Sequence, residues 1–289
     1  MTSYTLSIAG FKILLLSADV PDICLEPSFL PFVVENDPFN FDIKISVFEN
    51  LSGSFNLFGD AVFESQDDTR KYFSVFQNNG RYKFVVYHPL QIDRIQQIAL
   101  LLNYMREWEI CVNYERNDVP NPLSYPMGSL VLYYLTVKFD ALMMHASGID
   151  DYGMGRMFAG FSGSGKSTMA GLWQKKGSTV LNDDRIMIRK EEEGYFMYNT
   201  PMIYAEMPKK APLKSLYLIE HSDHNHLERL TGVNAISKVM AFCIQHGFNS
   251  AFLEHHLKFI SELCEEIPVY ELGFVPDEDI TGFIKTHGI

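Results

Sequence analysis

Cysteine is scarce in this chain. Four occur in 289 residues, Cys24, Cys111, Cys243 and Cys264, far apart and with no Cys-x-x-Cys pair. Neither a zinc cluster nor a disulfide scaffold organises such a sequence, and the thiols read as reduced and mostly buried. Long apolar runs are missing too. The longest, Leu130 to Met144, is broken by Lys138 and Asp140, whereas a membrane-spanning helix needs about 20 apolar residues in succession. The opening Met1-Thr2-Ser3-Tyr4 has no basic flank, and the short apolar run from Ile13 to Leu16 follows Lys12, unlike a signal peptide. A soluble, cytoplasmic protein is expected. Positive charge is in deficit: 24 Lys and Arg face 36 Asp and Glu, a net charge of −12. So acidic a surface repels phosphate backbones and anionic lipid, which removes nucleic acid and membrane surfaces from the expected partners. What is present is apolar material, 47% of the residues, enough for one large core or two modest ones and too much for a disordered chain.

The first hundred residues read as short strands: Phe11–Leu16, the alternating Ile43, Ile45 and Val47, then Tyr72–Phe76 and Tyr82–Tyr87. Asn78-Asn79-Gly80 signals a hairpin, and Asn36-Asp37-Pro38 and Ser52-Gly53-Ser54 mark further reversals. From 92 to 105 the apolar residues Ile92, Ile95, Ile98, Ala99 and Leu102 fall at a helical period, and a strand follows with Trp108, Ile110, Val112 and Tyr114 on one face. Pro120, Pro122 and Pro126 interrupt regular structure between Asn117 and Pro126 and mark a linker. The expected division is a strand-rich α+β region over 1–120 and an α/β domain over 121–289. Within the latter, helices are expected at Met127–Phe139, Thr168–Lys175, Ala235–Cys243 and His256–Cys264, and strands at Leu142–Ile149, Arg156–Phe161 and Thr179–Leu181.

The chemistry concentrates in Gly160-Phe161-Ser162-Gly163-Ser164-Gly165-Lys166-Ser167, which fits the Walker A phosphate-binding loop (P-loop): Gly, four residues, Gly, Lys, then Ser or Thr. Glycines let the backbone turn so that successive amides face an anion, and the helix that follows adds its positive end. Lys166 reaches the terminal phosphates in such a loop, and the Ser167 hydroxyl coordinates magnesium. The loop lies where that function needs it, after the apolar Met157-Phe158-Ala159 and before the helical run that opens at Thr168. Downstream, Asn182-Asp183-Asp184-Arg185 ends a short strand. Carboxylates there can hold magnesium or accept a proton from an attacking hydroxyl. His145, on the strand entering the preceding hairpin, is a further candidate as a partner of carboxylate or phosphate. His221, His224 and His226 sit among Ser222, Asp223 and Asn225 and read as a polar surface turn, His255 and His256 as the polar side of a helix, and Glu191-Glu192-Glu193-Gly194 as a solvated hairpin tip.

In order, the strand Met144-His145-Ala146-Ser147-Gly148, the hairpin through Gly153 and Gly155, the loop Gly160–Ser167 and the doublet Asp183-Asp184 resemble the core of HPr kinase/phosphorylase and its HPr-kinase-like relatives, whose fold is akin to phosphoenolpyruvate carboxykinase. A looser similarity, to HPr-kinase-like proteins found beside peptide-modification genes, runs through Asn199-Thr200-Pro201, Ala211 to Glu220 and Asn225 to Leu230. The resemblance implies an α/β, P-loop-containing kinase domain after the smaller N-terminal region. It implies ATP or another nucleoside triphosphate and magnesium as cofactors. Gly160, Ser162, Gly163, Ser164, Gly165, Lys166, Ser167 and Thr168 would hold the nucleotide. Ser167 and one aspartate, with Asp184 preferred, would hold the metal, and the other aspartate, Asp183, would act as base with His145 nearby. Arg185 and Arg229 are lesser candidates for contacting the transferred phosphate. The acceptor would be a hydroxyl of a protein, peptide or small molecule, and since proteins of that family often form rings, the resemblance allows a homo-oligomer. The chain departs from the bifunctional enzymes where their glycine-rich acidic signature would follow the doublet. It reads Tyr198-Asn199-Thr200-Pro201-Met202-Ile203 there, which implies neither the reverse reaction nor HPr as substrate. A rival reading is a nucleotide-binding accessory protein without turnover, its first-half aromatics (Phe29, Phe32, Phe39, Phe41, Phe55, Phe58) docking a peptide or partner. A decarboxylating carboxykinase is disfavoured, because no segment clearly supplies a second metal site and a carboxylate-binding arginine set.

Overall fold

The computed structural model describes residues 2–50, 58–91, 94–115, 118–202, 206–244 and 247–288. Ser52-Gly53-Ser54, Phe55, Ile92, Asn117 and Ile203 of the sequence reading lie outside them. The chain is α/β, with two large mixed sheets and few helices. It forms two compact units, Met1–Lys138 with Tyr204–Met207, and Phe139–Ile203 with Pro208–Ile289. The first unit runs past the expected boundary at 120: the helix that follows the proline-rich stretch falls with it, because Tyr134 packs against Tyr82, Phe84 and Trp108.

The first unit contains β1 (Ser3–Ile8), β2 (Phe11–Ser17), β3 (Val33–Val34), β4 (Ile43–Phe48), β5 (Ala61–Gln66), β6 (Lys71–Asn78), β7 (Arg81–Tyr87), β8 (Ile95–Leu102), β9 (Glu107–Val112) and the helix α1 (Met127–Lys138). The sheet order is β3-β1-β2-β4-β9-β8-β7-β6-β5. Alternation in β4 buries Ile43, Ile45 and Val47 as expected. The β6–β7 hairpin turns on Asn79 and Gly80, both at positive φ (48° and 73°). Asparagine and glycine tolerate that region best, and a two-residue turn of this hand suits the strand twist.

One expectation is overturned. Residues 95–102 are strand, not helix, paired with β7 on one side and β9 on the other. The period-2 pattern escapes an apolar count because one inward position is Gln97, whose amide donates to Asn121 O and Ser124 Oγ while Ala99 and Leu101 fill the same buried face. Of the aromatics assigned to a docking module, Phe29 and Phe32 are core, whereas Phe39 is exposed.

The second unit contains β10 (Ala141–Asp151), β11 (Met154–Ala159), α2 (Lys166–Lys175), β12 (Thr179–Asn182), β13 (Arg185–Glu191), β14 (Gly194–Asn199), β15 (Lys210–His221), β16 (His226–Leu230), α3 (Gly232–Met240), α4 (Ser250–Glu266), β17 (Val269–Phe274) and α5 (Asp279–His287). The path β11-β10-β13-β14-β15-β17-β16 closes on itself in part, because β11 also pairs with β15, and β12 pairs with β10. The contacts of β11 with β15 and of β15 with β17 are parallel, so these three strands end on the same side. One core, under α2 and α5, contains Phe158, Trp173, Tyr217, Phe274 and Ile280. Another, under α3 and α4, contains Leu142, Met197, Leu216, Val239 and Ile260. Helices were expected near α2, α3 and α4; α4 starts earlier than expected, at an Asn249 side chain that caps the amides of Ala251 and Phe252. Of the pair assigned to the polar side of that helix, His256 is instead buried at 1% exposure. Among the described residues no helix is long and apolar enough to cross a membrane.

Candidate functional site

β11 ends at Ala159 and α2 begins at Lys166, and the six residues between form a tight loop. Gly160 has no room for a side chain: a Cβ would stand 2.3 Å from Ser164 Oγ and 2.8 Å from the Ile219 carbonyl. Gly163 and Gly165 hold positive φ, 80° and 96°. The Ser164 amide donates to Phe161 O at 3.1 Å, and the first helical bond runs from Met169 N to Gly165 O at 2.8 Å. Gly165 caps the helix without a side-chain bond, and the amides of Gly163, Gly165, Lys166, Ser167 and Thr168 meet no acceptor among the described residues. Such a cluster of open donors at a helix start attracts an anion.

Lys166 is buried at 7% exposure, and its Nζ folds over the loop to donate to Gly160 O at 2.8 Å and Phe161 O at 2.9 Å. Burial lowers its pKa, opposed by the charge of Asp184. Ser162, Ser167 and Thr168 are exposed, and Ser164 Oγ, buried over Gly160, has no partner among the described residues.

The doublet follows β12. Asn182, 3% exposed, accepts from the amides of Asp184 (2.8 Å) and Arg185 (3.3 Å) through Oδ1, a local turn that fixes both acids. The Thr200 hydroxyl bonds Arg185 O behind it. Asp184 lies 3.3 Å from His145 Nδ1 and accepts from Arg185 Nε at 3.2 Å. Burial pushes its carboxyl up, but the His145 hydrogen bond and the Arg185 charge prevail and hold it below its ordinary value. Its backbone carbonyl accepts from Ala146 N at 3.0 Å, so β10 carries His145 to the doublet. The half-buried Asp183 carboxylate accepts no hydrogen bond among the described residues.

His145 and Arg185 therefore converge on Asp184, whose charge also reaches Lys166 in the loop. Arg229 is not brought in. It lies opposite Tyr270, four rungs from the His221–Phe274 end of the strands, about 13 Å away along the strand. His224 pairs with Asp223 at the surface, and among the described residues no group of three His, Cys, Asp or Glu is arranged to hold a metal ion. Two supporting residues escaped the sequence reading. Asn182 had a local signal, an Asn directly before two acids. His221, whose Nε2 meets Gly163 O at 2.9 Å, had none, because its approach depends on the long-range pairing of β15 with β11. A cavity of about 400 Å³ in the first unit borders Arg70, Tyr87 and His88. Its Asp67 is already engaged by Thr69, Tyr72 and backbone amides, so that cavity offers no comparable chemistry.

Neither a known protein family nor a curated protein matches the chain. Among solved structures, it is similar to the HPr(Ser) kinase/phosphatase of Coxiella burnetii, at 12% identity and a TM-score of 0.28, covering 50% of this chain and 91% of that one. The likeness is a distant structural relationship.

Proposed function

We propose that the chain is an ATP-binding, magnesium-dependent phosphotransferase of the HPr-kinase-like type, its second unit a P-loop domain, acting on a hydroxyl of a protein, peptide or small molecule. The observation that carries this reading is the set of open amides at Gly163 and from Gly165 to Thr168 around a buried lysine. The loop amides hold the phosphate oxygens of the nucleotide. Lys166 exchanges the Gly160 and Phe161 carbonyls for phosphate, and its burial strengthens that attraction. An exposed hydroxyl on Ser167 and an aspartate held ionised at 184 are oxygen donors of the kind magnesium takes in small number beside phosphates and water. When bound, the metal neutralises charge on the phosphates. Asp184 is held in place by His145 and Arg185, whereas Asp183 is free to take the proton of an acceptor hydroxyl. Catalysis of this kind rests on positioning and charge, not on a covalent intermediate.

The test is ATP affinity by titration calorimetry, with and without magnesium, for the wild type and Lys166→Met. Methionine keeps the stem and removes the charge. A charge-assisted contact is worth about 1.5–3 kcal/mol, so the variant binds about 10- to 100-fold more weakly. Absence of binding by the wild type, or equal binding by the variant, would falsify the assignment.

A further inference from the structure

We propose that His221 is a positioning residue that presets the phosphate loop before any nucleotide arrives; the inference rests on the phosphate-loop reading above. His221 is the last residue of β15, and the alternation that turns Tyr217 and Ile219 into the core beneath α2 turns His221 to the same side, where the loop passes. Its Nε2 stands 2.9 Å from Gly163 O. A carbonyl only accepts, so Nε2 carries the proton and donates, as it does in both the neutral Nε2–H form and the imidazolium. The ring stacks on Phe274, the last residue of β17, with centroids 5.6 Å apart and planes at 27°. The same two rings bound the space at Gly165, where a Cβ would lie 2.6 Å from Phe274 Cζ and 3.3 Å from His221 Cε1. β15, which pairs with the loop strand, and β17, its next parallel neighbour, thus end in side chains that press on the loop from outside.

The consequence lies in one peptide unit. Between Gly163 and Ser164, the carbonyl is taken by His221 and the amide by Phe161 O at 3.1 Å. Glycine at φ 80° gives that unit freedom to rotate, and rotation would swing a carbonyl dipole toward the space where phosphate oxygens sit. Held at both ends, the unit stays turned, and the open amides on either side keep facing one way. Ordering that would otherwise be imposed by the ligand is already in place.

The test uses the full chain and three variants. His221→Phe keeps the stack on Phe274 and loses the donor, His221→Ala loses both, and His221→Gln restores a donor at similar reach. ATP affinity is measured by calorimetry, hydrogen exchange at the Ser164 amide is followed by NMR without nucleotide, and thermal unfolding checks the fold. His221→Phe and His221→Ala are expected to bind ATP about tenfold more weakly and to exchange Ser164 about tenfold faster, with His221→Gln within about twofold of wild type on both. The proposal is overturned if Ser164 exchange and ATP affinity are unchanged in the Phe and Ala variants, or if Gln is as impaired as Phe. Should the wild type bind no ATP, the phosphotransferase reading falls by itself, and Ser164 exchange still decides whether His221 braces the loop.

Discussion

Replacing single glycines by alanine in and beside the loop yields a graded set of outcomes. At Gly165 the new methyl meets two costs. The residue holds φ 96°, where an L side chain is strained by about 1–2 kcal/mol, and the methyl stands 2.6 Å from Phe274 Cζ, an overlap of the kind that costs about 1–3 kcal/mol in a packed site. Phe274 is fully buried, so its ring has little room to retreat, and the exposed loop moves instead. The total of about 2–5 kcal/mol then appears chiefly as lost ligand affinity, at least 30-fold, with a melting temperature lowered by only a few degrees. At Gly163 the φ is 80° but the methyl meets nothing within 4 Å. Only the strain remains, and affinity drops about 5- to 30-fold. At Gly171, inside α2 with open space at its Cβ, alanine stabilises the protein by about 0.5–1 kcal/mol and leaves affinity unchanged. Calorimetric titration with ATP and thermal unfolding of the three variants measure the series. Equal affinities for Gly165→Ala and Gly171→Ala would refute the loop geometry and the reasoning built on it.

Three further outcomes are expected. Asp183→Asn lowers ADP production from ATP by about 10²- to 10⁴-fold while ATP affinity stays within about threefold, whereas Asp184→Asn loses the magnesium dependence of binding; identical behaviour of the two contradicts the division of labour. Asp151→Ala leaves Arg156 buried without the carboxylate it meets at 3.0 Å, and also removes the contacts of Ser178 and Lys285. An abandoned buried charge costs about 3–5 kcal/mol, so the melting temperature falls by roughly 10 °C, and a change under about 2 °C argues against the network. Burial, with the neighbouring charge of His255, pushes His256 from 6.5 down to about 4. The unfolded chain takes up this proton near 6.5 and the native one does not, so stability drops as pH is lowered from about 6.5 to about 4, by up to about 3 kcal/mol. Urea unfolding at pH 7 and pH 5 should show that slope reduced in His256→Phe.

Features with a local cause were legible in the chain. Glycine spacing located the loop at 160–167, the Asn79-Gly80 turn followed from its backbone demands, and strict alternation revealed β4. Features that depend on distant partners were not. β8 hides its period behind a buried glutamine whose amide nitrogen donates to residues more than twenty positions away. The burial of His256 follows from the tertiary setting of α4, which a pair of adjacent histidines does not announce. Of the site, the lysine, the serines and the acids were readable by type. The turn made by Asn182 and the ring pressed against the loop by β15 required the fold itself.

The partial closure of the second sheet also bears on how the protein meets copies of itself. The strand that feeds the loop has hydrogen-bonded neighbours on both flanks, so its backbone is not on offer to another chain. Among the described residues, β12, off the main path of that sheet, pairs only with β10, and β16 pairs only with β17. Both are blunted: the Lys209 ammonium covers the Val180 carbonyl on β12, and β16 turns the charged Glu228 and Arg229 to solvent. Ionic side chains and capped carbonyls discourage strand-to-strand fusion. Extension of this sheet by a second copy is thereby disfavoured at those two strands.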